Sequence, residues 1–214
     1  MGNGGATVAG TRFAGPAFLP PPADVGAWLE PLSRFAGERA AASASGVLSA
    51  FMGWELPAEA FHLSRIDHVA VYLGDYRREE EVEVFLARLA AAPGVAELAS
   101  GPSHIAPRFW ETPGYWISLR LAGVPLEIFT CRHRAPWRAR PIEERRALMS
   151  HDALAVEDAS HVEPLLAYLA HYPGIERLCF SASDALGHIY GHLLAHAAAR
   201  VLELVYDPAK GAPP

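Results

Sequence analysis

FLARLAAAPGVAEL at positions 85–98 returns as LLAYLAHYPGIERL at positions 165–178, and seven of the fourteen paired positions are identical. Ahead of each copy, a histidine lies seven residues before an aspartate. An internal repeat of this kind predicts two similar structural units within the chain. The histidine and aspartate pairs are His68 with Asp75 and His151 with Asp158.

Each copy is also followed by a short apolar run that contains one glutamate. Glu127 lies in PLEIF at positions 125–129, and Glu203 lies in VLELV at positions 201–205. The two units therefore offer two histidines and two glutamates at matching places. This pattern predicts a metal site where the units face each other.

Length and composition narrow the class of protein. The chain has 214 residues, of which 51% are hydrophobic and 20% are charged, as in a globular protein with a full core. The net charge of -6 argues against nucleic acid as a partner, because phosphate binding needs a basic surface. No apolar run is long enough to span a membrane, and the N-terminus lacks the pattern of a signal peptide. We expect a cytoplasmic monomer or homodimer that binds a small-molecule substrate, with Cys131 and Cys179 reduced.

Hydrophobic periodicity predicts an α+β fold. Each unit reads as a strand, a helix and three further strands, or βαβββ. We expect the two tandem modules to form a curved, open, barrel-like sheet, and the linker between them to be a solvated connector. The predicted boundaries are a flexible tail over 1–22, an N-terminal helical extension over 23–63, the first module over 64–131, an Arg-rich linker over 132–148, the second module over 149–208 and a tail over 209–214.

Strand alternation predicts that all four candidate residues lie on the strand faces that are not aliphatic. His68 is predicted to share a face with Ile66, and Glu127, His151 and Glu203 lie opposite the aliphatic side of their own strands. We expect the aliphatic faces to pack under the helices and the other faces to line a concave surface.

A metal follows from the cost of burying the two glutamates. A carboxylate in the middle of an apolar strand loses hydration worth several kcal/mol unless a cation pairs with it. One divalent ion bound by both glutamates and both histidines would compensate the two charges together. Imidazole and carboxylate ligands suit Fe, Zn, Ni, Mn or Co, so the expected cofactor is one divalent transition metal. The predicted ligands are His68, Glu127, His151 and Glu203.

These strands resemble the vicinal oxygen chelate superfamily, the glyoxalase and extradiol dioxygenase type of fold with paired βαβββ units. The resemblance covers about residues 64–208 and rests on IDHVAVYL at positions 66–73 and VLELVYDP at positions 201–208. The helical extension and the overall layout are similar, more weakly, to small bacterial YecM-like members. The family's four metal positions are matched one for one by His68, Glu127, His151 and Glu203.

The resemblance implies an enzyme whose metal stabilises an enolate or oxyanion of a small oxygen-rich metabolite, as an isomerase or a lyase. Glu127 resembles the second glutamate of the glyoxalase I arrangement, where a carboxylate leaves the metal and acts as a proton-transfer base. One alternative is a non-haem Fe(II)-dependent oxygenase that uses His68, His151 and Glu203. A second alternative is a non-catalytic ligand-sequestering protein on the same fold. No glutathione-binding pattern is recognisable, which argues against methylglyoxal detoxification.

Further residues are candidates for contact with a substrate. His192 and Tyr190 share one face of the predicted seventh strand, where a histidine or tyrosine serves general acid/base catalysis or hydrogen bonding. Arg108 and Arg120 are predicted to hold an anionic substrate group, because arginine pairs with a carboxylate or phosphate through two hydrogen bonds. Tyr72, on the first strand, is a third substrate-binding candidate.

Overall fold

The computed structural model describes residues 25–184 and 187–210. The predicted tail over 1–22, residues 23–24 and residues 211–214 lie outside these ranges. Within them, no helix is long and apolar enough to cross a membrane. The helices are α1 (Gly26–Ala40), α2 (Ala44–Met52), α3 (Glu79–Ala90), α4 (Ile105–Trp110), α5 (Ile142–Met149) and α6 (Ala159–Leu169). The strands are β1 (Leu63–Tyr76), β2 (Val95–Pro102), β3 (Gly114–Leu121), β4 (Val124–Arg132), β5 (His151–Val156), β6 (Ile175–Ser181), β7 (Ile189–Ala195) and β8 (Arg200–Tyr206).

The eight strands form one sheet in the order β2-β3-β4-β1-β5-β8-β7-β6. In each half the first strand of the module pairs in parallel with the last, β1 with β4 and β5 with β8. The two halves meet where β1 and β5 pair antiparallel, so both modules close within a single chain. The predicted α+β fold of two βαβββ modules is confirmed.

Helices α1, α2, α3 and α6 cover one face of the sheet and bury its aliphatic side chains. Over the first module, α1 and α3 contribute Trp28 and Phe85, whose rings meet edge to face with centroids 5.6 Å apart. Over the second module, α2 and α6 contribute Leu48 and Leu166, both fully buried. The N-terminal helical extension therefore completes the core of both modules. On the opposite face, α4 and α5 pack against the sheet around Tyr72, and the remainder of that face is open for a site.

The Arg-rich linker is not a solvated connector, and this expectation was wrong. Trp137 is fully buried, and its Nε1 donates to the hydroxyl of Tyr72 at 3.0 Å and to Asp75 Oδ1 at 3.0 Å. Arg145, on α5, forms an ion pair with Asp75. A buried carboxylate needs such partners. The number of charges along the linker does not reveal that Trp137 and Arg145 bind Asp75.

Candidate metal centre

The four predicted ligands lie on the four central strands of the sheet. His68 is on β1, Glu127 on β4, His151 on β5 and Glu203 on β8, and these strands are adjacent in the order β4-β1-β5-β8. Strands β1 and β5 each contain the sequence His-x-Ala. The alanine of each strand pairs with a histidine on one neighbouring strand and with a glutamate on the other. These alanines are Ala70, between Glu127 and His151, and Ala153, between His68 and Glu203.

The imidazoles converge on one carboxylate oxygen. Oε2 of Glu203 lies 3.3 Å from Nε2 of His68, 2.9 Å from Nε2 of His151 and 3.3 Å from Nε2 of His192. Glu127 is further out, with its Oε2 3.7 Å from Nε2 of His68. The structure thus brings the four predicted ligands together and adds His192 to them.

The three Nε2 atoms are buried and unsatisfied. Within residues 25–184 and 187–210, no group makes a well-oriented hydrogen bond to Nε2 of His68, His151 or His192. Buried polar atoms are nearly always partnered, so three orphaned ring nitrogens around one carboxylate require an explanation. A cation bound between them would satisfy all three at once, and imidazole with carboxylate is a donor set suited to a divalent transition metal. The residues present therefore fit such an ion.

The pKa values in this cluster respond to burial and to neighbouring charge. Burial acts to lower the pKa of His68 and of His192, but the charge of Glu203 opposes it, together with Glu127 at His68. The pKa of His68 is raised well above its ordinary value and that of His192 to about 10. Burial lowers the pKa of His151 to about 4. Burial raises the pKa of Glu127, whereas at Glu203 the charges of His192 and His68 outweigh burial and hold the pKa well below its usual range.

Groups outside the predicted set orient two of the imidazoles. Nδ1 of His68 lies 3.2 Å from Oδ2 of Asp67, and Asp67 accepts hydrogen bonds from Nζ of Lys210 at 2.9 and 3.0 Å. Nδ1 of His192 lies 3.1 Å from Sγ of Cys179. Such contacts at the far ring nitrogen aim the other nitrogen at a metal.

A β-bulge explains why strand alternation did not predict Asp67. Between Ile66 and His68, strand β1 advances by two residues while β5 advances by one, from Leu154 to Ala153. A bulge of this kind turns side chains from one face towards the other. Ile66 therefore packs with the cores under the helices, and the prediction that it shares a face with His68 was wrong. Asp67 instead joins His68 on the wall of the cavity.

A cavity of about 420 Å³ opens onto the cluster. This volume lies within the usual range for a small-molecule site. The lining of the cavity includes apolar side chains, among them Trp116, Phe129 and Val205, and a larger number of polar ones. The polar lining comprises Asp67, His68, Ser100, His104, Ser118, Glu127, Asp184, His188, Tyr190, His192, Glu203, Asp207 and Lys210.

Of the residues predicted to contact a substrate, Tyr190 and His192 line this cavity, and the other three do not. Tyr72 is buried below it, and its hydroxyl donates to Asp75. Arg120 donates from Nε to Glu97 at 3.0 Å, at the sheet edge. Arg108 is on the exposed side of α4, with its guanidinium 5.2 Å from the ring centroid of Phe109. Side-chain direction and pairing decide these placements, and residue type alone does not predict them.

No protein-family model and no curated protein matches the chain. Several solved structures have a backbone similar to that of this chain. One is a methylmalonyl-CoA epimerase in complex with methylmalonyl-CoA and NH4+, at 17% identity and a TM-score of 0.41, over 71% of this chain and 99% of that one. Another is a mutant of 4-hydroxymandelate synthase from Streptomyces coelicolor, at 16% identity and a TM-score of 0.43, over 70% of this chain and 50% of that one.

A third similar structure is a hypothetical protein from Bacillus halodurans, at 13% identity and a TM-score of 0.39, over 70% of this chain and 98% of that one. The paired-module fold itself follows from the strand order described above. The chemistry of the site is inferred from the side chains of this chain alone.

Proposed function

We propose that this chain is a divalent-metal-dependent enzyme of the vicinal oxygen chelate type that moves a proton on a small oxygen-rich molecule, as an isomerase, an epimerase or a lyase. The main support is the convergence on Oε2 of Glu203 of three buried imidazole nitrogens that lack a well-oriented hydrogen bond. A metal held by His68, His151 and Glu203 would supply Lewis acidity towards a substrate oxygen in the cavity.

Glu127 is the base in this proposal. Its side chain is 23% exposed, against 7% for Glu203, so it reaches the cavity while Glu203 is enclosed. Burial raises the pKa of Glu127. The charge of His68 acts to lower this pKa, and the charge of Glu203 acts to raise it further. A carboxylate with a raised pKa accepts a proton from carbon more readily, because its basicity is closer to that of the substrate.

Tyr190 positions the substrate in this proposal. Burial and the charge of Glu203 raise the pKa of its hydroxyl to about 12, so the group stays protonated and donates a hydrogen bond at neutral pH. Trp116 and Phe129 supply apolar lining that would keep water from the reacting atoms.

A second candidate is a non-haem Fe(II)-dependent oxygenase. The greater exposure of Glu127 and its 3.7 Å separation from His68 favour this alternative, because they leave His68, His151 and Glu203 as a set of two histidines and one glutamate. That set is typical of iron oxygenases with open coordination positions.

Two measurements separate these functions. Elemental mass spectrometry on protein purified without added metal should find about one transition metal per chain. Protein loaded with Fe(II), Mn(II), Ni(II) or Zn(II) is then incubated in deuterium oxide with 2-oxo acids, 2-hydroxyketones and catechols, with NMR detection and an oxygen electrode. Deuterium incorporation without oxygen uptake supports proton transfer, and oxygen uptake with Fe(II) favours the oxygenase. Failure to bind any of the four metals overturns both, and tight binding of a compound without turnover favours a sequestering protein.

A further inference from the structure

The role of His192 goes beyond the ligand set that the repeat predicts. We propose that Nε2 of His192 is a metal ligand together with His68, His151 and Glu203, and that Glu127 is not a ligand. This inference rests on the proposed metal site, since it concerns which side chains hold the ion. It replaces the role in acid/base catalysis that the strand position of His192 predicts.

The first support is geometric. His192 and Glu203 face each other directly across the antiparallel pair of β7 and β8, with Nε2 3.3 Å from Oε2. One ligand atom each from His151, His192 and Glu203 lies within 4.8 Å of the other two, and all three residues are buried. Glu127 falls in a different group, with His68 and His151. The most enclosed ligand cluster therefore contains His192.

The second support is an asymmetry between the modules. Glu127 and Glu203 occupy equivalent places in the repeat, and each has a residue directly across from it on the preceding strand. That residue is Ser118 in the first module and His192 in the second. Only the second module thus offers an imidazole on the strand that precedes its glutamate, which draws the preferred position of a cation towards Glu203 and away from Glu127.

The third support is the orientation of the ring. Sγ of Cys179 lies 3.1 Å from Nδ1 of His192, directly across β6 and β7. A ring that donates its Nδ1 proton to the sulfur presents Nε2 towards Glu203, where this nitrogen can bind a metal once it has lost its own proton. That nitrogen is buried and has no hydrogen-bond partner in residues 25–184 and 187–210. A metal-ligating histidine has this arrangement, with one nitrogen held and the other available.

The test is a count of imidazole ligands on bound Co(II). X-ray absorption of the wild-type protein should show three imidazoles, whereas the set with Glu127 in place of His192 gives two. His192→Ala should show two imidazoles, and its Co(II) affinity in competition with a chelator should fall by more than about 100-fold, beyond the 10- to 100-fold typical of outer-shell changes. Glu127→Gln should keep three imidazoles, and its Co(II) affinity should fall by no more than the 10- to 100-fold typical of outer-shell changes.

The outcomes distinguish this inference from the proposed function. A wild-type protein that binds Co(II) tightly with two imidazoles overturns the role of His192 and leaves the metal site standing. A loss of more than about 100-fold in Glu127→Gln overturns the exclusion of Glu127 from the ligand set. A wild-type protein that binds no Co(II) overturns both. Because the imidazole count is made on the wild-type protein, the test holds even if a variant folds poorly, and His188→Ala is the control for altering another histidine of the cavity wall.

Discussion

Asp67 receives the ammonium group of Lys210 on both of its carboxylate oxygens, at 2.9 and 3.0 Å. Asp67 is 8% exposed, and its Oδ2 is also 3.2 Å from Nδ1 of His68. Burial acts to raise the pKa of Asp67, but the hydrogen bond and charge of His68 and the charge of Lys210 bring it to about 2. A short helical turn near the C-terminus, Pro208–Lys210, is thereby connected to the candidate ligand His68.

Lys210→Met should weaken metal binding by about tenfold with little change in fold, because outer-shell partners of a ligating histidine contribute 10- to 100-fold to affinity. The measurement is competition with a coloured chelator for Zn(II). Arg177→Met, which removes a surface ion pair with Glu163, is the matched control and should leave affinity unchanged. Equal affinities in Lys210→Met and the wild type would show that Asp67 holds His68 without help.

Metal binding should release at least one proton at pH 8, because ligating imidazoles must be deprotonated. The pKa of His192 is raised to about 10, so its ring is protonated at pH 8 in the metal-free protein, and the pKa of His68 is also raised well above its ordinary value. His151, with a pKa lowered to about 4, is already neutral. The affinity of the protein for the metal should therefore fall as the pH falls. A pH indicator in weakly buffered solution measures the release, and no proton release would contradict the assignment of these rings.

Glu127→Gln should retain the metal and lose turnover. Loss of a general base typically costs 10²- to 10⁴-fold in rate, so we expect a fall of about 10³-fold in kcat for proton exchange on a substrate identified by the NMR assay. Elemental analysis of the same preparation checks that metal content is unchanged. Undiminished exchange in Glu127→Gln would assign the base to another residue.

Asp75→Asn should destabilise the protein by about 3 kcal/mol, because it leaves Arg145 without its buried partner. Burial acts to raise the pKa of Asp75, but hydrogen bonds from His133 and Tyr72 and the charge of Arg145 lower it. Since the folded pKa lies below the unfolded value of about 3.9, this stabilisation is complete above that pH and is lost as the pH falls through the folded pKa. Urea unfolding between pH 7 and pH 3 should show a shallower pH dependence in the variant, and parallel curves would contradict the assignment.

Gly191→Ala should destabilise the second module by about 1–3 kcal/mol, as overpacking of a filled core does. A Cβ at this position would lie 2.2 Å from Cδ1 of Leu166 on α6 and 2.8 Å from the carbonyl oxygen of Cys179. Gly37→Ala is the control, because the space around Gly37 is open and the residue is in helix α1. That change should stabilise by about 0.5–1 kcal/mol. Thermal unfolding measures both, and an unaltered midpoint for Gly191→Ala would mean that α6 shifts to accommodate the methyl group.

Much of the fold and four members of the site could be predicted from local pattern. The repeat around positions 85–98 and 165–178 predicts equivalent modules, and alternation predicts which side of a strand a residue occupies. His68 and Glu203 could therefore be assigned to the open face of the sheet without any knowledge of strand order. Alternation depends on residues close together in sequence, and the repeat is found by comparing two short segments of the same chain, so neither signal requires the folded structure.

Local sequence pattern predicted the paired modules and the strand positions of His68, Glu127, His151 and Glu203. The other contacts became visible in the folded chain, since they depend on register and on elements far apart along the sequence. The antiparallel register sets His192 opposite Glu203, the bulge in β1 turns Asp67 into the cavity, and Trp137 of the linker is buried where it donates to Asp75. A one-residue shift in any of these pairings would reverse the side chains involved, so their positions follow from the assembled sheet and not from residue type.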